Sequence, residues 1–230
     1  AIKLTPQLAY LYYNLRGDRR YEREDYDGAI ADYDEAISLK PDDANAFFDR
    51  GDAYDELKKY PEAIADYNEA IRLKPDYAQA YHYRGITRYN QKDYAGASAD
   101  FTEAIRIQPD YADAYFKRGD AHDELGDYSE AIADYTEAIR LKPDYAIAYL
   151  YRGITRSKQK DYADAIADYT EAIRLQPDYA DAYLFRGNAR RQSNDLGGAR
   201  EDFQKAADLY QQQNNTEMYQ TALEKLRQLQ

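Results

Sequence analysis

The sequence has no cysteine and no tryptophan, one methionine and two histidines. Without cysteine there is no disulfide, no thiolate nucleophile and no cysteine-ligated metal. The two histidines, His82 and His122, stand far apart in sequence, so no paired-histidine metal motif can be assembled. No run reaches the ~18 apolar residues that cross a bilayer, so no membrane partner is expected. The opening AIKLTPQLAYLYYNL lacks an unbroken apolar stretch and a small-residue cleavage site, and does not read as a signal peptide. A cytoplasmic location is expected, with a processed exported chain as the alternative. Positive charge is short: 31 Lys and Arg face 43 Asp and Glu, a net charge of −12. Phosphate binding needs a basic face, so nucleic acid is not an expected partner, whereas a basic protein or peptide is. No Gly-rich phosphate loop is present; Gly197-Gly198 reads as a turn or helix start. No acid, base and nucleophile can be grouped, so neither catalysis nor a cofactor is expected.

What the chain does have is tyrosine, 27 of them among 230 residues, and a strict internal period. The dipeptide Arg-Gly recurs with glycine at 17, 51, 85, 119, 153 and 187, a step of 34 residues. Alanine keeps that step at Ala29, Ala63, Ala97, Ala131, Ala165 and Ala199. Aromatics keep it at Tyr33, Tyr67, Phe101, Tyr135, Tyr169 and Phe203, and a second alanine from Ala36 to Ala206. Proline does so from Pro41 to Pro177. Six repeats starting at Tyr10, Ala44, Ala78, Ala112, Ala146 and Ala180 cover residues 10 to about 213. Repeat positions are counted from these starts.

Each repeat reads as two helices. In the fourth, DAYFKRGDAHDEL is the first and YSEAIADYTEAIRL the second, with Ala131, Ile132, Tyr135, Ala138 and Ile139 as one apolar stripe. Glycine at position 8 and alanine at position 20 suit a close backbone approach. Thr5-Pro6 reads as the first helix start, Pro61 as a first-turn proline, and each Pro-Asp as a stop that caps the next helix. Arg at position 7 recurs with Asp at position 23, from Arg16 with Asp32 to Arg186 with Asp202, which predicts a structural ion pair within or between repeats. Residues 214–230 read as a capping helix whose packed face carries Tyr219, Ala222, Leu223 and Leu226. A single repeat domain over 1–230 is expected.

The pattern has an aromatic at position 4, glycine at position 8, alanine at position 20, an aromatic at position 24, alanine at position 27 and proline at position 32. It resembles the tetratricopeptide repeat family, with two departures. Tyr or Phe replaces the usual Trp, and Arg replaces the Leu before the glycine. The resemblance implies an all-α fold, a right-handed α-solenoid of six helix-turn-helix units plus the capping helix. It further implies that first helices line a concave face through positions 2, 5, 6, 9, 12 and 13. On this chain those are Asn45, Phe48, Asp49, Asp52, Asp55 and Glu56, then Gln79, His82, Tyr83, Ile86, Tyr89 and Asn90. They continue as Asp113, Phe116, Lys117, Asp120, Asp123 and Glu124, then Ile147, Leu150, Tyr151, Ile154, Ser157 and Lys158. Acidic bands alternate with apolar ones, which suits a peptide or protein segment with basic residues between hydrophobic ones. The basic clamp that some members use for acidic tails is missing: position 5 holds Asn14, Phe48, His82, Phe116, Leu150 and Leu184. Repeats 2 and 4 resemble each other, as do 3 and 5, so the same surface is expected twice. Asp52, Asp55 and Glu56 share a helical face, but one straight helix offers too few converging oxygens for a specific cation site. Two other readings stay open: the repeat region of a larger enzyme or sensor, and a homo-oligomer formed through the groove or an array end.

Overall fold

The computed structural model describes residues 5–229. Thirteen α-helices and no strand are found among them. The helices are α1 (Pro6–Tyr21), α2 (Tyr26–Leu39), α3 (Ala44–Glu56), α4 (Tyr60–Leu73), α5 (Ala78–Asn90), α6 (Tyr94–Ile107) and α7 (Ala112–Leu125). They continue with α8 (Tyr128–Leu141), α9 (Ala146–Lys158), α10 (Tyr162–Leu175), α11 (Ala180–Gln192), α12 (Leu196–Gln212) and α13 (Thr216–Arg227). Packing divides the chain into two halves, Ala1–Lys117 and Arg118–Gln230, each compact by itself.

Within each half, consecutive helices pair as hairpins, and the reason lies in residue size. A Cβ on Gly51 or Gly85 would stand 2.9 Å from the Tyr67 ring or 2.7 Å from the Phe101 ring, so only glycine lets the second helix approach. The aromatic at position 24 is then sealed: Tyr67, Phe101 and Tyr135 are 0% exposed. Alanines tie one hairpin to the next, with Ala70 against Ala80 in one cluster and Ala104 against Ala114 in another. At the C-terminus Ala222 is buried in a cluster that Tyr219, Leu223 and Leu226 close, so α13 covers the last hairpin.

The Arg–Asp pair is present in all six repeats. Arg50 donates from Nε and Nη2 to Asp66 at 2.7 and 2.6 Å, and Arg152 to Asp168 at 3.0 and 2.6 Å. The remaining guanidinium arm reaches the preceding repeat: Arg50 to Asp34 at 2.6 Å, Arg84 to Asn68 at 2.6 Å, Arg152 to Thr136 at 3.0 Å. One side chain therefore fastens both the hairpin and the stack. Position 11 adds a second cation in most repeats, with Arg88 on Asp100 at 2.9 Å, Arg156 on Asp168 at 2.7 Å and Arg190 on Asp202 at 3.0 Å.

Helix starts depart from expectation. Thr5 does cap α1, accepting from the Leu8 amide at 3.3 Å, and Pro61 sits in the first turn of α4. The aspartate after each proline is not the cap. That position falls one residue later, on Asp43, Tyr77, Tyr145 and Tyr179, and only Asp43 accepts from a helix amide, Asn45 at 3.1 Å. The tyrosines trade capping for ring burial; Tyr77 is 9% exposed. Side-chain caps appear on second helices instead, where Asp93 and Asp195 accept from Gly96 and Gly198 at 3.0 and 2.9 Å. The turn inside each hairpin needs one left-handed residue: Glu24, Lys58, Lys92, Lys160 and Asn194 have φ between 57° and 65°, and Gly126 has 85°.

Candidate functional site

Position 5 of the first helices turns inward. His82, Phe116 and Leu150 are 5%, 3% and 3% exposed, and Phe48 is half-buried with ring centroids 5.8, 5.1 and 5.4 Å from Tyr67, Tyr77 and Tyr83. His82 lies 4.7 Å from Tyr111 and 5.5 Å from Phe101. Its Nδ1 is buried without a partner, and burial pushes the imidazole down to about 4, with Asp113 opposing and Lys117 adding to the shift. The ligand contact expected of these four side chains gives way to packing, because the junction between hairpins needs a large apolar filler there.

The acids have internal partners that their spacing alone did not suggest. Asp52 accepts from the buried Tyr67 hydroxyl at 2.6 Å, and Asp120 from Tyr135 at 3.0 Å. In repeat 1 Asp18 does the same for Tyr33 at 3.0 Å. Where position 24 is Phe101, position 9 is Ile86, with no hydroxyl to satisfy. Asp55 accepts from the buried Thr87 of the next repeat at 2.6 Å, and Asp123 from Thr155 at 2.8 Å. Four of the expected carboxylates are thus structural acceptors; of these Asp120 is buried and Asp123 is also taken by Lys158, which leaves Asp52 and Asp55 half-buried on the face. Asn45, Glu56, Asp113 and Glu124 are exposed, Tyr83 and Tyr151 are 40% and 38% exposed, and Asp49, Ile86, Tyr89, Lys117 and Ile154 are half-buried.

The two acidic bands are not equivalent. Asp49 has its counterpart in Lys117, and Asp123 is bridged by Lys158, whose counterpart in the first band is Asn90. The first band lies beside a cleft of its own. A cleft of about 190 Å³ between repeats 1 and 2 is lined by Asp18, Tyr21, Glu22, Tyr33, Asp49 and Asp52, with no cation among them. Burial pushes the Asp49 carboxyl up to about 7, and Asp18 and Asp43 add to it. Burial likewise pushes Asp52 up to about 7, against the Tyr67 hydrogen bond and helped by Asp49 and Asp55. The same positions between repeats 5 and 6 form a cleft of about 310 Å³ lined by Ile154, Tyr169, Phe185, Ser157, Lys158 and Asn188, apolar where the first is acidic. The expected set stopped at repeats 2 to 5 and so missed Asp18, Tyr21, Glu22, Phe185 and Asn188. The position count alone, extended to repeats 1 and 6, would have found them. Among the described residues no group of three or more His, Cys, Asp or Glu is placed to hold a metal ion, and no helix is long and apolar enough to cross a membrane.

Family models agree with this geometry. A model described as TPR repeat matches residues 17–57 and 51–92, and one described as tetratricopeptide repeat matches 84–146 and 150–214. The chain belongs to the tetratricopeptide repeat family. Among solved structures it is similar to MamA at 25% identity, TM-score 0.67, over 72% of this chain and 96% of that one. It is also similar to YrrB, described as a TPR protein with an unusual peptide-binding site, at 20% identity, TM-score 0.69, over 84% and 97%. Pseudomonas aeruginosa pilF matches at 17% identity, TM-score 0.77, over 94% and 97%; at such identities the likeness to YrrB and pilF is one of fold. No curated protein sequence matches the chain. The family is one of protein-interaction scaffolds, generally without catalysis.

Proposed function

We propose that the first-helix face of this tetratricopeptide repeat chain holds a peptide or protein segment that carries basic residues between hydrophobic ones. The observation behind this reading is the acidic cleft between repeats 1 and 2. Asp49 and Asp52 are held half-buried beside other acids, at a cost that no cation lining the cleft relieves. A lysine or arginine entering the cleft removes that cost and gains charge-assisted hydrogen bonds. Exposed Tyr83, with Ile86 and Tyr89 one and two turns on, offers the apolar contact that supplies affinity next to it. In the C-terminal half, Tyr151 and the Ile154–Phe185 cleft play the apolar part. The chain acts as a scaffold and performs no chemistry of its own.

The test is capture of partners by the intact chain and by Asp49→Asn/Glu56→Gln, two changes at residues with no internal hydrogen bond to a buried group. Loss of captured segments, together with a flatter salt dependence, is expected. Unchanged capture and unchanged salt sensitivity would refute the acidic-cleft reading.

A further inference from the structure

The most exposed apolar surface of α1 lies outside the packing that the repeats explain. Leu8, Leu11, Tyr12 and Leu15 are 53%, 51%, 46% and 60% exposed. At 3.6 residues per turn they fall within an arc of about 100° on one side of the helix. The patch is on the order of 400 Å², as large as the patches that mark interaction sites on monomers.

The repeat itself argues against one occupant. Interior first helices keep position 3 as alanine, and Ala46, Ala80, Ala148 and Ala182 are at most 1% exposed where a preceding helix packs. Repeat 1 has Tyr12 there, and Arg19 at position 10, where interior repeats have only Ala or Thr. Both are larger than the Ala or Thr that packs against a preceding helix in the interior repeats, and the Arg16 arm that elsewhere reaches the preceding repeat turns to the Tyr12 hydroxyl at 2.9 Å.

The charges beside the stripe name a different occupant. On the helical wheel Asp18 and Glu22 lie on the Leu11 side, and Arg16 and Arg19 on the Tyr12 side, lining a separate cleft with Leu15. We infer that α1 is the contact surface for a second copy of this chain, the two α1 helices parallel about a two-fold axis. That axis sets each acidic edge against the partner's basic edge at matching height. An antiparallel pairing would set like charge against like. The contact is isologous and closes at two copies. With its polar flanks it approaches the ~800 Å² per partner of a standard interface only at the margin, so the dimer is reversible and concentration-dependent. Asp18 and Glu22 also line the acidic cleft, so a basic segment held there competes with the dimer, and sedimentation is read on the chain without peptide.

Sedimentation velocity of the full chain from roughly 5 to 500 µM is the test, a range that brackets a weak dissociation constant. The wild type is expected to move from monomer to dimer. Leu11→Gln/Leu15→Gln, changes at exposed positions whose helicity is checked by circular dichroism, is expected to stay monomeric. Arg19→Glu and Glu22→Arg are each expected to weaken the dimer at least tenfold, and the double swap to restore it to within about threefold. A wild type that stays monomeric throughout, a leucine variant that still dimerises, or a double swap without rescue would each overturn the inference.

Discussion

Asp168→Ala gives the sharpest check on the packing logic. The Asp168 side chain is 4% exposed and accepts from Arg152 at 3.0 and 2.6 Å and from Arg156 at 2.7 Å, whose side chains are 13% and 20% exposed. Removing the carboxylate leaves two largely buried guanidiniums without their acceptor, a loss of about 3–5 kcal/mol. Asp32→Ala removes the same residue type from the same position, but Arg16 and Arg20 are 38% and 35% exposed. Released, those cations hydrate, and the loss falls to about 1–2 kcal/mol. The assay is urea unfolding of the intact chain followed by far-ultraviolet circular dichroism. Because stacked repeats contribute locally, each variant is fitted for the transition it shifts. A loss below about 1 kcal/mol for Asp168→Ala, or equal losses for both variants, would refute the view that burial of the cation sets the cost.

Four further outcomes follow from particular residues. Asp49 and Asp52 have folded pKa values raised to about 7 from 3.8, so they favour the fold below the lower value and lose that advantage as pH rises through about 7. Asp49→Asn is therefore expected to raise the melting temperature at pH 8 and to flatten its dependence between pH 4 and 8. A cationic peptide bound at the cleft is expected to weaken as pH falls through about 7, by up to tenfold per unit for each linked proton, which calorimetry at several pH values reads directly. His82 runs the other way: its folded pKa lies at about 4 against 6.5, so its contribution is complete above 6.5 and is lost as pH falls towards 4. His82→Phe copies the residue of repeats 2 and 4, removes an unpartnered buried Nδ1, and is expected to stabilise by about 1 kcal/mol and abolish that acid loss, as urea titrations at pH 7 and pH 5 would show. Lys58→Gly, at a φ of 57°, is expected to stabilise by about 0.5–1 kcal/mol in the same assay, whereas Gly126→Lys is expected to destabilise.

The helical hairpins were legible because each depends on a residue that size alone dictates. Gly51 and Gly85 admit a ring, and Ala70 and Ala80 admit a neighbouring backbone. The Arg50–Asp66 pair was legible because Arg at position 7 and Asp at position 23 recur together in all six repeats. The binding face was harder to read. Positions 5 and 9 vary among repeats, which suggests freedom to specialise, yet His82, Phe116 and Leu150 vary only as interchangeable fillers. Asp18, Asp52 and Asp120 follow their own rule: an acid at position 9 accompanies a tyrosine hydroxyl at position 24, and Ile86 accompanies Phe101. Tyr169 breaks that rule, since it pairs with Ser157 at 3.1 Å and leaves Ile154 free of any polar duty. The tyrosine caps and the left-handed lysines were hidden because tertiary burial, or one turn geometry imposed on every hairpin, overrides local preference.

The proposed guest sits on the first-helix face, against α3 and away from α4. A photo-cross-linking residue placed in turn at exposed Asn45 and Glu56 on α3, and at exposed Glu62 and Ala65 on α4, tests this directly with captured partner or a Leu/Lys-rich probe peptide. Adducts from the α3 positions, competed by salt and absent from the α4 positions, are the result it predicts. Adducts from α4 alone, or equally from both helices, would contradict it.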